Sequence, residues 1–132
     1  MPPVEDGKYM IYSATKDNMV IDVAAGISRD GANIQLYEKN GSLAQKWQLK
    51  LNSDETYTIK TLIDSRVLDV SGAGVYNGAN VQLWSFNSSC AQKWNIVQNS
   101  DKTYSIYSAC SGKALDVTAG KSKNGTNIQI YS

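Results

Sequence analysis

Taken as apolar and polar positions alone, the chain is a succession of short period-2 alternations separated by Gly, Asn, Asp and Ser, the pattern of half-buried strands joined by turns. No stretch keeps a helical period. Strands are predicted over 8–14, 19–24, 33–38 and 45–50, then over 56–62, 67–71, 80–85 and 92–98, and then over 103–109, 114–118 and 127–131. The set repeats: Asp22, Asp69 and Asp116 lie 47 residues apart, as do Gln35, Gln82 and Gln129, and the aromatics Tyr37, Trp84 and Tyr131. Self-similarity at such a period marks one supersecondary unit used three times. The units run over about 7–50, 51–98 and 99–132 and form one domain. A lead-in at 1–6 is expected to be unstructured, because Pro2 and Pro3 suit neither a helix interior nor a central strand. Trp47 and Trp94 would repeat at a position past Ser132, so the third unit is expected to lack its fourth strand.

Register follows from the same alternation. Hairpins turning at Asn52-Ser53-Asp54 and Asn99-Ser100-Asp101 are expected to oppose Trp47 to Ile59 and Leu49 to Tyr57, and Trp94 to Ile106 and Ile96 to Tyr104. Each set shares one face, as cross-strand packing requires. Extended outward, the ladders oppose Leu43 to Ile63 and Cys90 to Cys110. The two thiols either form a disulfide in an oxidising setting or replace one small apolar pair with another.

Two of the units close on Gln-x-Trp, at Gln45-Lys46-Trp47 and Gln92-Lys93-Trp94. With Asp, Gln and aromatic positions in threefold register from Asp6 to Ser132, the chain resembles the ricin-type β-trefoil lectins and the bacterial carbohydrate-binding modules of that family. The resemblance implies an all-β trefoil of three four-stranded repeats. First and fourth strands would form a six-stranded barrel, and the middle strands of each repeat a hairpin of the cap. Trp47, Trp94, Leu49, Ile96, Ile59 and Ile106 would then fill the barrel, with Ile21, Val23, Leu68, Val70, Leu115 and Val117 facing inward from the cap.

The alternation also sets where the repeated Asp points. In Ile21-Asp22-Val23, Leu68-Asp69-Val70 and Leu115-Asp116-Val117 the aliphatics flank the carboxylate, so an inward aliphatic pair turns each Asp to the other face. Gln and the aromatic two residues beyond it share one face of the next strand. A carboxylate accepts charge-assisted hydrogen bonds from neighbouring sugar hydroxyls, and an aromatic face covers the apolar side of the ring. Gly26, Gly31, Gly72, Gly74, Gly78, Gly120 and Gly125 leave the intervening loops room for close backbone approach. The resemblance implies the same roles, with the Gln of Gln-x-Trp bracing the Asp. The candidate sugar-binding sets are therefore Asp22, Gln35, Tyr37 and Gln45; Asp69, Gln82, Trp84 and Gln92; and Asp116, Gln129 and Tyr131. Ala44 and Ala91 stand where the family commonly has an Asn before that Gln; Asn40 and Asn87, on the preceding loops, are the candidates to replace it.

Composition narrows the alternatives. The chain has 13 Lys and Arg against 12 Asp and Glu, with no block of like charge, so neither nucleic acid nor a membrane surface is an expected partner. No apolar run approaches the roughly 18 residues of a membrane span, and membrane insertion is not expected. The start, Met1-Pro2-Pro3-Val4-Glu5-Asp6, does not read as a leader. There is no His, which removes the commonest general base and metal ligand, and no nucleotide, nucleophile-elbow or metal-helix signature is present. An enzyme, a metal and a cofactor are accordingly not expected. The expected function is non-catalytic binding of a saccharide or polysaccharide by a secreted or cell-surface module, appended to a glycan-active protein. The alternative is a protein-binding trefoil, which would have no reason to keep the three sets in register. An uncovered barrel edge would also favour self-association.

Overall fold

The computed structural model describes residues Pro2–Ser132; Met1, the first residue of the expected lead-in, lies outside them. Eleven strands follow one another. They are β1 (Gly7–Tyr9), β2 (Met19–Val23), β3 (Ile34–Glu38), β4 (Trp47–Leu51), β5 (Tyr57–Thr61), β6 (Val67–Val70), β7 (Val81–Trp84), β8 (Trp94–Gln98), β9 (Tyr104–Ser108), β10 (Ala114–Val117) and β11 (Thr126–Tyr131). Short 3₁₀ turns at Leu43–Gln45 and Cys90–Gln92 lead into β4 and β8, so both bracing glutamines sit in turns rather than in the strands expected to carry them.

The barrel wall is β1-β4-β5-β8-β9, each strand antiparallel to the next. Hairpins β2–β3, β6–β7 and β10–β11 form the cap. Among the described residues no strand lies between β9 and β1, and these two strands do not pair with each other. Inside, Trp47, Trp94, Ile59, Ile34, Leu68 and Ile128 are fully buried. Val4, ahead of β1, packs against this core and its carbonyl accepts the Tyr57 hydroxyl proton.

The two long hairpins differ from expectation by a shift of two residues. Trp47 lies opposite Thr61, Leu49 opposite Ile59 and Leu51 opposite Tyr57; Trp94 lies opposite Ser108 and Ile96 opposite Ile106. The cause is the turn. The Asn52 and Asn99 amides donate to the Thr56 and Thr103 carbonyls, and Glu55 and Lys102 take positive φ of 70° and 72°. Each turn thus sits one residue later than its Asn-Ser-Asp signature suggests. A shift of two preserves the side-chain faces, which is why Trp47, Trp94, Leu49, Ile59 and Ile96 are buried as expected although their partners differ.

Leu43 is exposed rather than opposed to Ile63. Cys90 and Cys110 are joined in a disulfide with a Cα–Cα distance of 5.2 Å. The regular ladder does not carry this pairing, since its new register would set Cys90 beyond Cys110; the Cys90–Gln92 turn brings the two back together.

Side chains of the third repeat, which borders the seam between β9 and β1, are less sealed than their counterparts. Tyr57 is 1% exposed, but its counterpart Tyr104 is 45% exposed. Ile106, Leu115 and Val117, expected to be interior, are only half-buried, whereas Ile59, Leu68 and Val70 are sealed. A cleft of about 770 Å³ opens along this seam.

Candidate functional site

Asp22 on β2 lies directly across from Gln35 on β3, and Asp69 on β6 across from Gln82 on β7. Antiparallel pairing brings the two side chains together, and the Gln Nε2 donates to the carboxylate Oδ1 at 3.0 Å in both repeats. The other oxygen is held from the turn. Gln45 Nε2 donates to Asp22 Oδ2 and Gln92 Nε2 to Asp69 Oδ2, each at 2.9 Å. Both glutamines are fully buried and fully used. Their Nε2 groups also donate to the carbonyls of Glu38 and Ser85, and their Oε1 atoms accept the Asn40 and Asn87 amides. Each carboxylate is therefore clamped by two neutral amides. A carboxylate offers about four lone-pair positions, so it keeps acceptor capacity after two bonds.

Two residues beyond Gln35 and Gln82, on the same strand face, stand Tyr37 and Trp84, 37% and 40% exposed. The third set is partial: Gln129 Nε2 donates to Asp116 Oδ2 at 2.9 Å, Tyr131 is exposed, and no second amide among the described residues reaches Asp116. Asn40 and Asn87 are exposed, but their Oδ1 atoms accept the Ser42 and Ser89 amides and shape the turn, leaving only the Nδ2 groups to donate outward.

Two further threefold sets escaped the sequence reading. Asn33, Asn80 and Asn127 form a closed ring across the repeats. Asn33 donates to Asn127 at 2.8 Å, Asn127 to Asn80 at 2.8 Å, and Asn80 to Asn33 at 2.9 Å. In the second set, Asp30 Oδ1 accepts the Ser85 amide, Asn77 Oδ1 that of Ser132 and Asn124 Oδ1 that of Glu38. The glycine after each, Gly31, Gly78 and Gly125, has φ near +90° and donates to Leu83, Ile130 and Leu36. A side chain there would strain the backbone. The residues so latched follow Trp84, Tyr131 and Tyr37, so every aromatic is positioned by the loop of a neighbouring repeat. The 47-residue spacing carried both signals, but spacing identifies equivalents and not partners.

The Asp30 latch titrates where its counterparts cannot. The Ser85 hydroxyl first, and Arg66 after it, hold the Asp30 carboxyl below the ordinary carboxylate range against partial desolvation. Hydroxyl bonds from Thr56 and Thr103 likewise lower Asp54 and Asp101. A carboxylate whose folded pKa is depressed contributes stability above its unfolded value near 3.9, and that contribution is lost as pH falls through the folded pKa. The urea midpoint should therefore drop below about pH 4. Asp30→Asn keeps an acceptor, as Asn77 and Asn124 do, and should make this acid-side drop shallower. An unchanged acid limb would remove Asp30 from the account.

The family described as ricin-type β-trefoil lectin domain-like matches residues 43–131. No curated protein matches. Among solved structures, the designed threefold-symmetric protein ThreeFoil is 33% identical over 86% of this chain and 81% of its own, with a TM-score of 0.84. An exo-β-1,3-galactanase of Clostridium thermocellum, 1,3Gal43A, is 30% identical over 86% of this chain but only 25% of its own, with a TM-score of 0.83. The Rhizoctonia solani agglutinin shares the fold at 24% identity and a TM-score of 0.87, over 98% of this chain and 87% of its own. With the family match covering well over half of the chain, the protein belongs to the ricin-type β-trefoil lectin-like family.

Proposed function

We propose that the protein binds carbohydrate without altering it, through the sites at Asp22 and Asp69, with a weaker third site at Asp116. The observation that carries this reading is the doubly clamped carboxylate beside an exposed aromatic, built twice with the same atoms. An acceptor fixed in place can meet two vicinal hydroxyls while the aromatic covers the ring face. The carboxylates bond to amides rather than to each other or to a base, an arrangement suited to recognition and not to proton transfer. Shallow sites of this kind bind single sugars with dissociation constants on the order of 0.1–10 mM, and retention on a polymer comes from several sites engaging together.

Secretion or cell-surface display belongs to the same proposal and is supported by the disulfide. Attachment to a larger glycan-active protein is supported by the galactanase, of whose chain the matched part is only 25%. Its substrate class makes β-galactosides the first ligands to test. A glycan array followed by calorimetric titration of galactose, lactose and any stronger ligand decides the matter. Absence of binding to every glycan at 10 mM and above, on the scale of the weakest such sites, would overturn the reading.

The sites should differ. Trp84 presents a larger stacking face than Tyr37, and stacking contributes about 0.5–1.5 kcal/mol beyond burial. Trp84→Ala should weaken its site up to roughly tenfold and cost more total retention than Tyr37→Ala. Both side chains are exposed, so neither change should move the melting temperature much. NMR titration resolves the sites separately, and equal losses at both would refute the ranking.

A further inference from the structure

Beside the second site the surface carries a hollow of about 220 Å³, lined by Asn52, Asp54, Phe86, Ser88, Gln92 and Lys93 among others. We propose that it is a further sugar subsite, which takes the next neutral unit of a glycan whose first unit stacks on Trp84. The inference rests on the carbohydrate reading and narrows it: the second repeat binds a disaccharide or a longer chain, whereas the first binds a single unit.

Position comes first. Phe86 stands two residues beyond Trp84, at most about 7 Å along the backbone. The Ser85 hydroxyl between them is held by Asp30 at 2.8 Å, so alternation turns both aromatics to the opposite side. One exposed apolar side chain by itself signifies little. Phe86, however, is 57% exposed, continues the open face of Trp84 and borders a cavity with polar walls. Gln92 joins the two places, since it lines the hollow and its Nε2 also clamps Asp69. The volume lies below the roughly 300–1,000 Å³ of sites for drug-sized molecules and suits a single ring.

The polar groups select a neutral ring. Across from Phe86 is the tip of the β4–β5 hairpin, where Lys93 Nζ donates to Asp54 Oδ2 at 2.9 Å while Asp54 Oδ1 accepts the Thr56 amide and hydroxyl. The hollow thus offers a donor and an acceptor side by side with no net charge, a match for vicinal hydroxyls. The hydroxyls of Ser53 and Ser88, which also line it, bond to no other described side chain. Ser88 adds an independent sign. It takes φ of 62°, where its counterpart in the first repeat is Gly41 at 75°. A side chain adopts this backbone only at a cost, and such strain collects at ligand-binding places. The first repeat is furnished differently: Lys39, Gly41 and Gly7 stand 47 residues ahead of Phe86, Ser88 and Asp54, so it has no ring face, hydroxyl or carboxylate at those positions.

The experiment titrates the whole chain by NMR with galactose, β-1,3-galactobiose and β-1,3-galactotriose, and with glucose, cellobiose and cellotriose. In a series that binds, the disaccharide should bind at Trp84 at least about fivefold more tightly than its monosaccharide, and the trisaccharide should add little more. At Tyr37 the gain should stay near the roughly twofold that comes from having two rings to offer. The Phe86 ring and Ser88 amide resonances should move with the disaccharide and not with the monosaccharide. Phe86→Ala should bring the gain at Trp84 down to that at Tyr37, and Phe86→Tyr should keep it; the exposed side chain makes a large change in melting temperature unexpected for either. Monosaccharides that bind at Trp84 with no greater gain on lengthening than at Tyr37, or a gain that survives Phe86→Ala, would refute the subsite and leave the carbohydrate reading standing. If none of the six sugars binds, the subsite falls as well, and the glycan array alone decides the carbohydrate reading.

Discussion

Trp94→Ala should lower the unfolding free energy by about 3–5 kcal/mol while leaving a soluble, still trefoil-shaped remnant at low temperature. The ring is wholly buried where β8 meets both β5 and β9, so no neighbour can relax far into the void. Its indole N–H donates to the Leu68 carbonyl, one residue before Asp69, and truncation leaves that carbonyl in the core without its partner. Domains of this size are stable by only about 5–15 kcal/mol, so the change removes a large share of the total. Urea titration followed by far-ultraviolet circular dichroism measures it. A midpoint within error of the parent protein would show that the side chain does not hold the barrel together. Loss of sugar binding in this variant should track unfolding rather than precede it, in contrast to Trp84→Ala.

Reduction of Cys90–Cys110 should cost about 3 kcal/mol by the loop-closure relation, given the sequence separation of 20. The effect should also be unevenly distributed. The bridge ties the base of the β8–β9 hairpin, and β9 borders the open seam, where Tyr104 and Ile106 lack the cover their counterparts have. Amide exchange in β9 and β10 should therefore accelerate on reduction well before exchange in β5 and β6 does. A Cys90→Ala, Cys110→Ala double variant gives the same comparison without reductant. Uniform acceleration across all strands would mean that the bridge acts on the unfolded chain alone.

The residues that fixed the outline were few and well placed. Asp22, Asp69 and Asp116 with Gln35, Gln82 and Gln129 could be read as facing pairs, because strand parity and a constant period together determine which side chains share a face. Register was not legible in the same way. Glu55 and Lys102 take up left-handed backbone with ordinary side chains, and nothing in Asn-Ser-Asp-Glu announces that. The clamps were legible only through resemblance, since Gln45 and Gln92 reach Asp22 and Asp69 across 23 residues by way of a 3₁₀ turn that alternation does not reveal. The latches at Asp30, Asn77 and Asn124 were invisible for a different reason. They bond outside their own repeat, so their partners exist only once the three hairpins have closed around one axis.

The asparagine ring at that axis has an arithmetic of its own. Every member gives one hydrogen bond to one neighbour and takes one from the other, so all three bonds run in the same rotational sense. Such a head-to-tail contact differs from a mirror-like contact between two equal faces: it has no self-sufficient pair, and it is complete only when rotation returns to the starting member. Two repeats would leave one amide and one carbonyl idle. The cap is therefore complete only as a set of three hairpins, and the loss of any one asparagine takes a bond from both of the others.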